Sequence, residues 1–383
     1  MARYRWVVLS VGTIAAAGYA AVPLGLAAIA PELADRYGLS VRQIGVLFGV
    51  TAMGQVALLL PWGVAADRRG ERAVISVGLA LTAAALLAAT QVGSFGALIA
   101  VLTLVAGFGA SAAAGSGRAV MQWFARRERG LALGIRQTAI PLGGAAGALA
   151  LPPLTVAGGV DAAYVALAAV CGVSALLGAA LLRESSASVD ETEVRAGSPL
   201  RDRRLWILCL GSALVLVAQI AIMYFVVVFL HDARGVSTGR AAAVLAAVQV
   251  AAAGLRVGSG RWTDRDGRRV PLFRRLSLAL AVAMAAAAAL VHASLWLLIP
   301  ALVVAGALGM SWNGLSFTAA AEIAGRARAG AAVGFQQTVL AVGTTITPIL
   351  FGLVAASSWR LAFGLSAVCA AAGAVVLRPL ESL

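Results

Sequence analysis

Three arginines stand inside apolar sequence. Arg118, Arg136 and Arg256 each lie in a long uncharged run, six to eight residues from its edge. At 1.5 Å per residue that is about 10 Å of helix. Buried cations are costly and mark ligand or ion paths. An arginine stem can also reach back about 10 Å to lipid headgroups. Both readings stay open for all three. Polar stripes favour a ligand. Ser111, Gly115, Arg118 and Gln122 recur at i, i+4, i+7 and i+11, and Gln249, Arg256 and Gly260 share a helical face. Lipid does not reward such a stripe; an aqueous cavity does. No Asp or Glu lies deep in the same runs, the nearest being Glu32 and Glu322 at their ends. Fixed positive charge without fixed negative charge points to a small anionic solute. A guanidinium can hold an oxyanion by a bidentate fork that lysine lacks.

A second set of charges forms a motif. Gly63, Asp67, Arg68, Gly70 and Arg72 follow the second apolar run, and Gly260, Asp264, Arg265, Gly267 and Arg268 follow a later one, 197 residues on. Gly63 is expected to let a neighbouring helix approach closely. Gly70 permits a tight turn. Asp67 can accept hydrogen bonds from arginines or a facing helix N-terminus. The cluster reads as a gating latch, held in one conformation and broken in another.

The elements that carry these residues follow from composition. The chain has 383 residues, 61 % of them hydrophobic and 12 % charged. A soluble domain is nearer half apolar and a quarter charged. These values describe a polytopic membrane protein. Twelve apolar spans are predicted: 6–31, 43–66, 73–91, 95–125, 130–155, 162–182, 205–230, 241–262, 276–291, 296–321, 330–356 and 361–377. The third and fourth are separated only by Val92-Gly93-Ser94. The ten-residue alternation of a β-barrel is absent.

The net charge is +14, and every basic residue is Arg. In a soluble protein this would suggest nucleic acid. Here 22 arginines fall on one side of the predicted spans, Arg261 being counted at the end of its span, and five on the other, the remaining three lying deeper within them. That asymmetry makes both termini cytoplasmic and gives lipid headgroups, not nucleic acid, as the partner of the excess charge. Cys171, Cys209 and Cys369 lie in apolar runs, and His231 and His292 lie at predicted external edges. No metal or cofactor set is formed, and an enzyme would need clustered His, Cys, Asp or Glu at depth.

The chain repeats itself. Gly38-Leu39-Ser40 recurs as Gly235-Val236-Ser237, and Gly134-Ile135-Arg136-Gln137-Thr138 recurs as Gly334-Phe335-Gln336-Gln337-Thr338. A hydrophilic linker, 184–203, divides an N-terminal six-helix bundle, 1–183, from a C-terminal one, 204–383. A duplicated six-span unit is a transporter architecture, with its site expected between the repeats at mid-membrane.

Twelve spans in two halves, with Gly-x-x-x-Asp-Arg-x-Gly-x-Arg after span two and its copy after span eight, resemble the major facilitator superfamily. The resemblance implies an all-α membrane fold of two pseudo-symmetric six-helix bundles. It implies a secondary transporter that works by rocker-switch alternating access in the cytoplasmic membrane. Spans one, four, seven and ten would line the cavity, which nominates Tyr19, Tyr224, Trp312 and Asn313. Gln336 and Gln337, the counterparts of Arg136 and Gln137, are expected on the wall opposite them. Glu32 and Glu322 are the candidates to carry a co-transported proton. The chain is expected to act as a monomer. The rival is proton-coupled efflux of hydrophobic or cationic drugs. Its signatures are poorly matched: Thr103 stands where a span-four arginine is usual, and span five offers only Ile140-Pro141-Leu142-Gly143-Gly144.

Overall fold

The computed structural model describes residues 4–124, 128–183, 202–266, 268–325 and 328–381, and all regular structure among them is helical. In chain order the helices are α1 (Tyr4–Ala28), α2 (Ala30–Tyr37), α3 (Val41–Ala89), α4 (Phe95–Trp123), α5 (Arg129–Leu181) and α6 (Arg203–Val228). They continue as α7 (Thr238–Asp266), α8 (Arg269–Ala289), α9 (Leu295–Ser311), α10 (Asn313–Ala324), α11 (Ala329–Ala355) and α12 (Trp359–Val376).

Among the described residues, ten helical stretches are long and apolar enough to cross a membrane. Two of them cross twice. Straight, the 49 residues of α3 and the 53 of α5 would each run about 70–80 Å, more than twice the ~30 Å hydrocarbon core. Gly70, at φ 79° and ψ 163°, folds α3 on itself. Gly158 and Gly159, the latter at φ 69°, do the same for α5. A positive φ is nearly free only for glycine. The third and fourth spans part between Ala89 and Phe95, around Val92-Gly93-Ser94 as expected. The helix of span ten breaks at Trp312, giving α9 and α10. The result is twelve crossings.

The chain forms two compact units. One comprises Met1–Ser40, Leu47–Val189 and Gly235–Ala246, the other Val41–Val46, Asp190–Arg234 and Ala247–Leu383. The expected linker lies outside the described residues as far as position 201.

Within the first unit, α1 lies along α5 and α4. Lipid tails are as apolar as leucine, so close van der Waals packing must hold such helices together. Glycine supplies it. A Cβ on Gly143 would come within 2.1 Å of the Ala17 carbonyl oxygen, and one on Gly147 within 2.8 Å of that of Ala21. The close approach expected at Gly63 occurs instead at Gly54, where a Cβ would sit 1.9 Å from the Thr103 oxygen. A Cβ on Gly63 would meet nothing within 4 Å. Gly54 is nine residues nearer the opposite end of the span, where α4 crosses it.

Within the second unit, α12 packs on α8 and α6, and α11 also packs on α6. Phe225, Phe229, Phe351, Trp359 and Phe363 form a ring cluster joining α6, α11 and α12.

Candidate functional site

Arg256 projects from α7 towards the break in span ten. In a continuous helix the Met310 carbonyl would accept from the N–H four residues on. The interruption at Trp312 leaves it at the C-terminal end of α9, and Arg256 Nε donates to it at 2.6 Å. A second guanidinium nitrogen, Nη2, reaches Asn313 Oδ1 at 3.5 Å. The cation therefore spans the two half-helices and sits on the negative end of α9. Its partners are uncharged, and no carboxylate among the described residues pairs with it.

Arg136, on α5, is held differently. Its Nε donates to Ser116 Oγ at 2.8 Å and its Nη2 to the Ala113 carbonyl at 3.0 Å, both on α4. The Ser116 hydroxyl in turn donates to the Ala112 carbonyl. Gly117 of α4 packs beside the guanidinium, and a Cβ there would make ordinary contact with its carbon at 3.9 Å. Arg136 too has no carboxylate partner among the described residues. The side chain of Arg118 lies outside them.

Gln336 is fully enclosed in the second unit, where its Nε2 donates to Ser316 Oγ at 2.5 Å and to Ser212 Oγ at 3.3 Å. It ties α11 to α10 and α6, while its neighbour Gln337 is exposed. Trp312 is 1 % exposed and stacks face to face on Phe273, centroids 5.3 Å apart, with its indole nitrogen unpartnered. Tyr224 is likewise buried. The Tyr19 ring packs tightly against Gly109, where a Cβ would come within 1.9 Å of it, and its hydroxyl donates to the Ala106 carbonyl at 3.2 Å. Of the residues expected to bind a solute, Arg256 and Asn313 come together in one unit and Arg136 stands in the other.

Gln219 on α6 emerges only from the structure, and Gln249 on α7, noted earlier only for its face, gains weight from it. Both are buried, and Gln219 Oε1 and Gln249 Nε2 have no hydrogen-bond partner. Glu71 is 1 % exposed, although in sequence it is merely the residue between Gly70 and Arg72 of the motif. Asp67, Arg68 and Arg72 are exposed around the fold at Gly70. In the second copy Arg268 is exposed, the side-chain positions of Gly260, Asp264 and Arg265 lie outside the described residues, and so does Gly267 altogether.

The two acidic candidates differ. Glu322 forms an ion pair with Arg269. Glu32, in the first turn of α2, has a buried Oε2 without a partner.

A family model for the Major Facilitator Superfamily matches residues 8–347. The chain is 33 % identical over 386 residues to "Uncharacterized MFS-type transporter Rv2994" of Mycobacterium tuberculosis, covering 99 % of this chain and 86 % of that protein. Its fold is similar to that of a bacterial homologue of the human lysosomal transporter Spinster, at TM-score 0.78 and 18 % identity over 98 % of this chain and 95 % of that one. A D-xylose–proton symporter gives TM-score 0.78 at 16 % identity over 98 % and 97 % of the two chains.

Proposed function

We propose, from the premise that the chain belongs to the major facilitator superfamily, that this membrane transporter carries a small anion. One observation carries the reading. Arg136 and Arg256 both lie within spans and are hydrogen-bonded only to uncharged groups. A cation withdrawn from water and given no counter-charge is costly. A passing anion supplies the missing charge during each cycle.

Arg256, with Asn313 beside it, is the main anion ligand, and Arg136 assists. The carrier alternates its access by rocking, with the Asp67 cluster as a latch. It works as a monomer in the cytoplasmic membrane. Glu32, whose carboxylate oxygen has no partner, is the better placed of the two acids to take a co-transported proton. The drug-efflux reading is disfavoured because, among the described residues, no carboxylate stands beside Arg136 or Arg256 to attract a cation.

Thermal stabilisation of the purified protein by small carboxylates and inorganic anions, by organic cations and by neutral drugs tests this directly. Anions are expected to raise the melting temperature, and Arg256→Gln to abolish that rise while leaving the unliganded protein folded. Stabilisation by cations alone, or full anion stabilisation of Arg256→Gln, overturns the reading. Sedimentation in detergent checks the monomer.

A further inference from the structure

Three helices of the second unit meet at Gly306. A Cβ there would strike Val248 of α7 at 2.5 Å and Ile222 of α6 at 2.8 Å. The α9 helix then serves as a ruler of depth. One turn further along, Arg256 Nε reaches the Met310 carbonyl. Its side chain therefore leans back towards the start of α7, as helical side chains do. The guanidinium thus lies about one turn, roughly 5–6 Å, from the level of Gln249, although the two Cα atoms are two turns apart. On α6, the backbone of Gln219 lies 3.4 Å from a Cβ built on Gly309, next to Met310. The stretch from Gly306 to Asn313 thus runs past Arg256 and past the helix positions of Gln219 and Gln249, all within about two helical turns of depth.

Those amides are unfinished. Gln249 is 2 % exposed and its Nε2, a donor, has no partner; Gln219 is 9 % exposed and its Oε1, an acceptor, has none. A buried amide left so is normally satisfied by something else. The fold does not require them. At the repeat-related positions, 197 or 200 residues earlier, stand Ala52 for Gln249, Leu59 for Arg256 and Tyr19 for Gln219. The Tyr19 hydroxyl is already bonded to Ala106. An unpaired amide donor, an unpaired amide acceptor and a cation, present in only one repeat, describe a specific guest.

We propose that this stretch of the second unit binds a small hydroxycarboxylate, with Arg256 holding the carboxylate and Gln219 and Gln249 reading the hydroxyl. The proposal rests on the anion reading and narrows it. The hydroxyl oxygen accepts from Gln249 Nε2 and its hydrogen goes to Gln219 Oε1. A hydroxyl is the smallest group that satisfies both at once. A simple inorganic anion or an unsubstituted carboxylate can accept from Gln249 but has no hydrogen to give to Gln219 Oε1.

The test is a set of binding titrations on the purified full-length protein with two matched pairs, lactate against propionate and 3-hydroxybutyrate against butyrate. The hydroxy acid is expected to bind about tenfold or more tightly in at least one pair. Gln249→Met and Gln219→Met should bring the hydroxy acid down to the affinity of its deoxy partner. Equal affinities within both wild-type pairs, with binding still lost in Arg256→Gln, overturn this proposal and leave the anion reading standing. A hydroxyl preference that survives both glutamine replacements also overturns it. No binding of any of the four acids at millimolar concentration overturns this proposal and leaves the anion reading to inorganic anions, whereas binding that does not depend on Arg256 overturns the anion reading as well. The wild-type comparison needs no variant, so a poorly folding replacement does not remove the test.

Discussion

Arg136 donates to Ser116 Oγ at 2.8 Å, and 200 residues on Gln336 donates to Ser316 Oγ at 2.5 Å. The third member follows the same offset. Gly12, whose Cβ would lie 3.3 Å from that of Ser116, is replaced by Ser212, whose hydroxyl meets Ser316 at 2.7 Å. The two repeats thus solve one packing problem with different charges. The serine–glutamine version shows that the backbone setting works without a cation. Arg136→Gln is therefore expected to fold with a stability within about 1 kcal/mol of wild type, and to lose anion-dependent stabilisation or transport. A large drop in melting temperature would make Arg136 a structural residue instead.

Asp67 stands exposed beside the fold at Gly70, away from Arg256 and Asn313 in the sequence and in a different unit. If it latches one conformation, removing its charge changes the rate of interconversion and not the affinity for cargo. Asp67→Asn should slow turnover in proteoliposomes by about ten- to a hundredfold, the worth of one charge-assisted hydrogen bond. Asp264→Asn should do less. Transport at the normal rate with Asp67→Asn would end the latch reading.

The arginine asymmetry assigns both termini and the 184–203 segment to the cytoplasm. Cysteines placed singly at Ser186 and at Ser357, which is exposed in the turn before α12, should distinguish the sides. The background replaces Cys171, Cys209 and Cys369. An impermeant thiol reagent added to intact cells should label position 357 and spare 186. The reverse pattern inverts the topology.

Asp202 caps α6, its Oδ1 accepting from the Arg204 N–H at 2.9 Å. The Arg204 guanidinium, bonded to the same carboxylate, holds its pKa below the usual carboxylate range. The folded value lies below the unfolded one, so the contribution is complete above about pH 4 and is lost as pH falls through the depressed folded value. Asn also caps helices but does not titrate. The melting-temperature difference between wild type and Asp202→Asn should therefore be small, as for any exposed pair, and should shrink on acidification from pH 6 to pH 3. A difference constant across that range would show that the charge plays no part.

Much of the architecture is legible in the sequence, because membrane spans and duplications are written as length and repetition. The fold at Gly70 and the boundary at Val92-Gly93-Ser94 follow from glycine and from the span length. The site is less legible. In a helix that is apolar all round, periodicity does not tell a lipid-facing side from a core-facing one. Gln336 therefore read like a wall residue although it closes the core of the second unit. The break at Trp312 carries no Pro, and its neighbour Gly314 is one of 43 glycines. Gln219 sits alone among apolar residues, with nothing in its spacing to say that its amide goes unpaired. Gly63 read as the contact glycine because it belongs to the motif, yet position along the crossing, not membership in a motif, decides where two helices touch.

The fold at Gly70 also bears on how the chain is made. Two successive spans joined by so short a turn cannot be laid into a bilayer one after the other as separate rods. They enter as a helical hairpin, both legs together, because there is no slack to leave one leg waiting in water. Most of the charge on that hairpin lies at its tip, where Asp67, Arg68, Arg69 and Arg72 cluster, with Arg42 alone at the start of the first leg. For this part of the protein, four residues settle which way up the newborn chain lies.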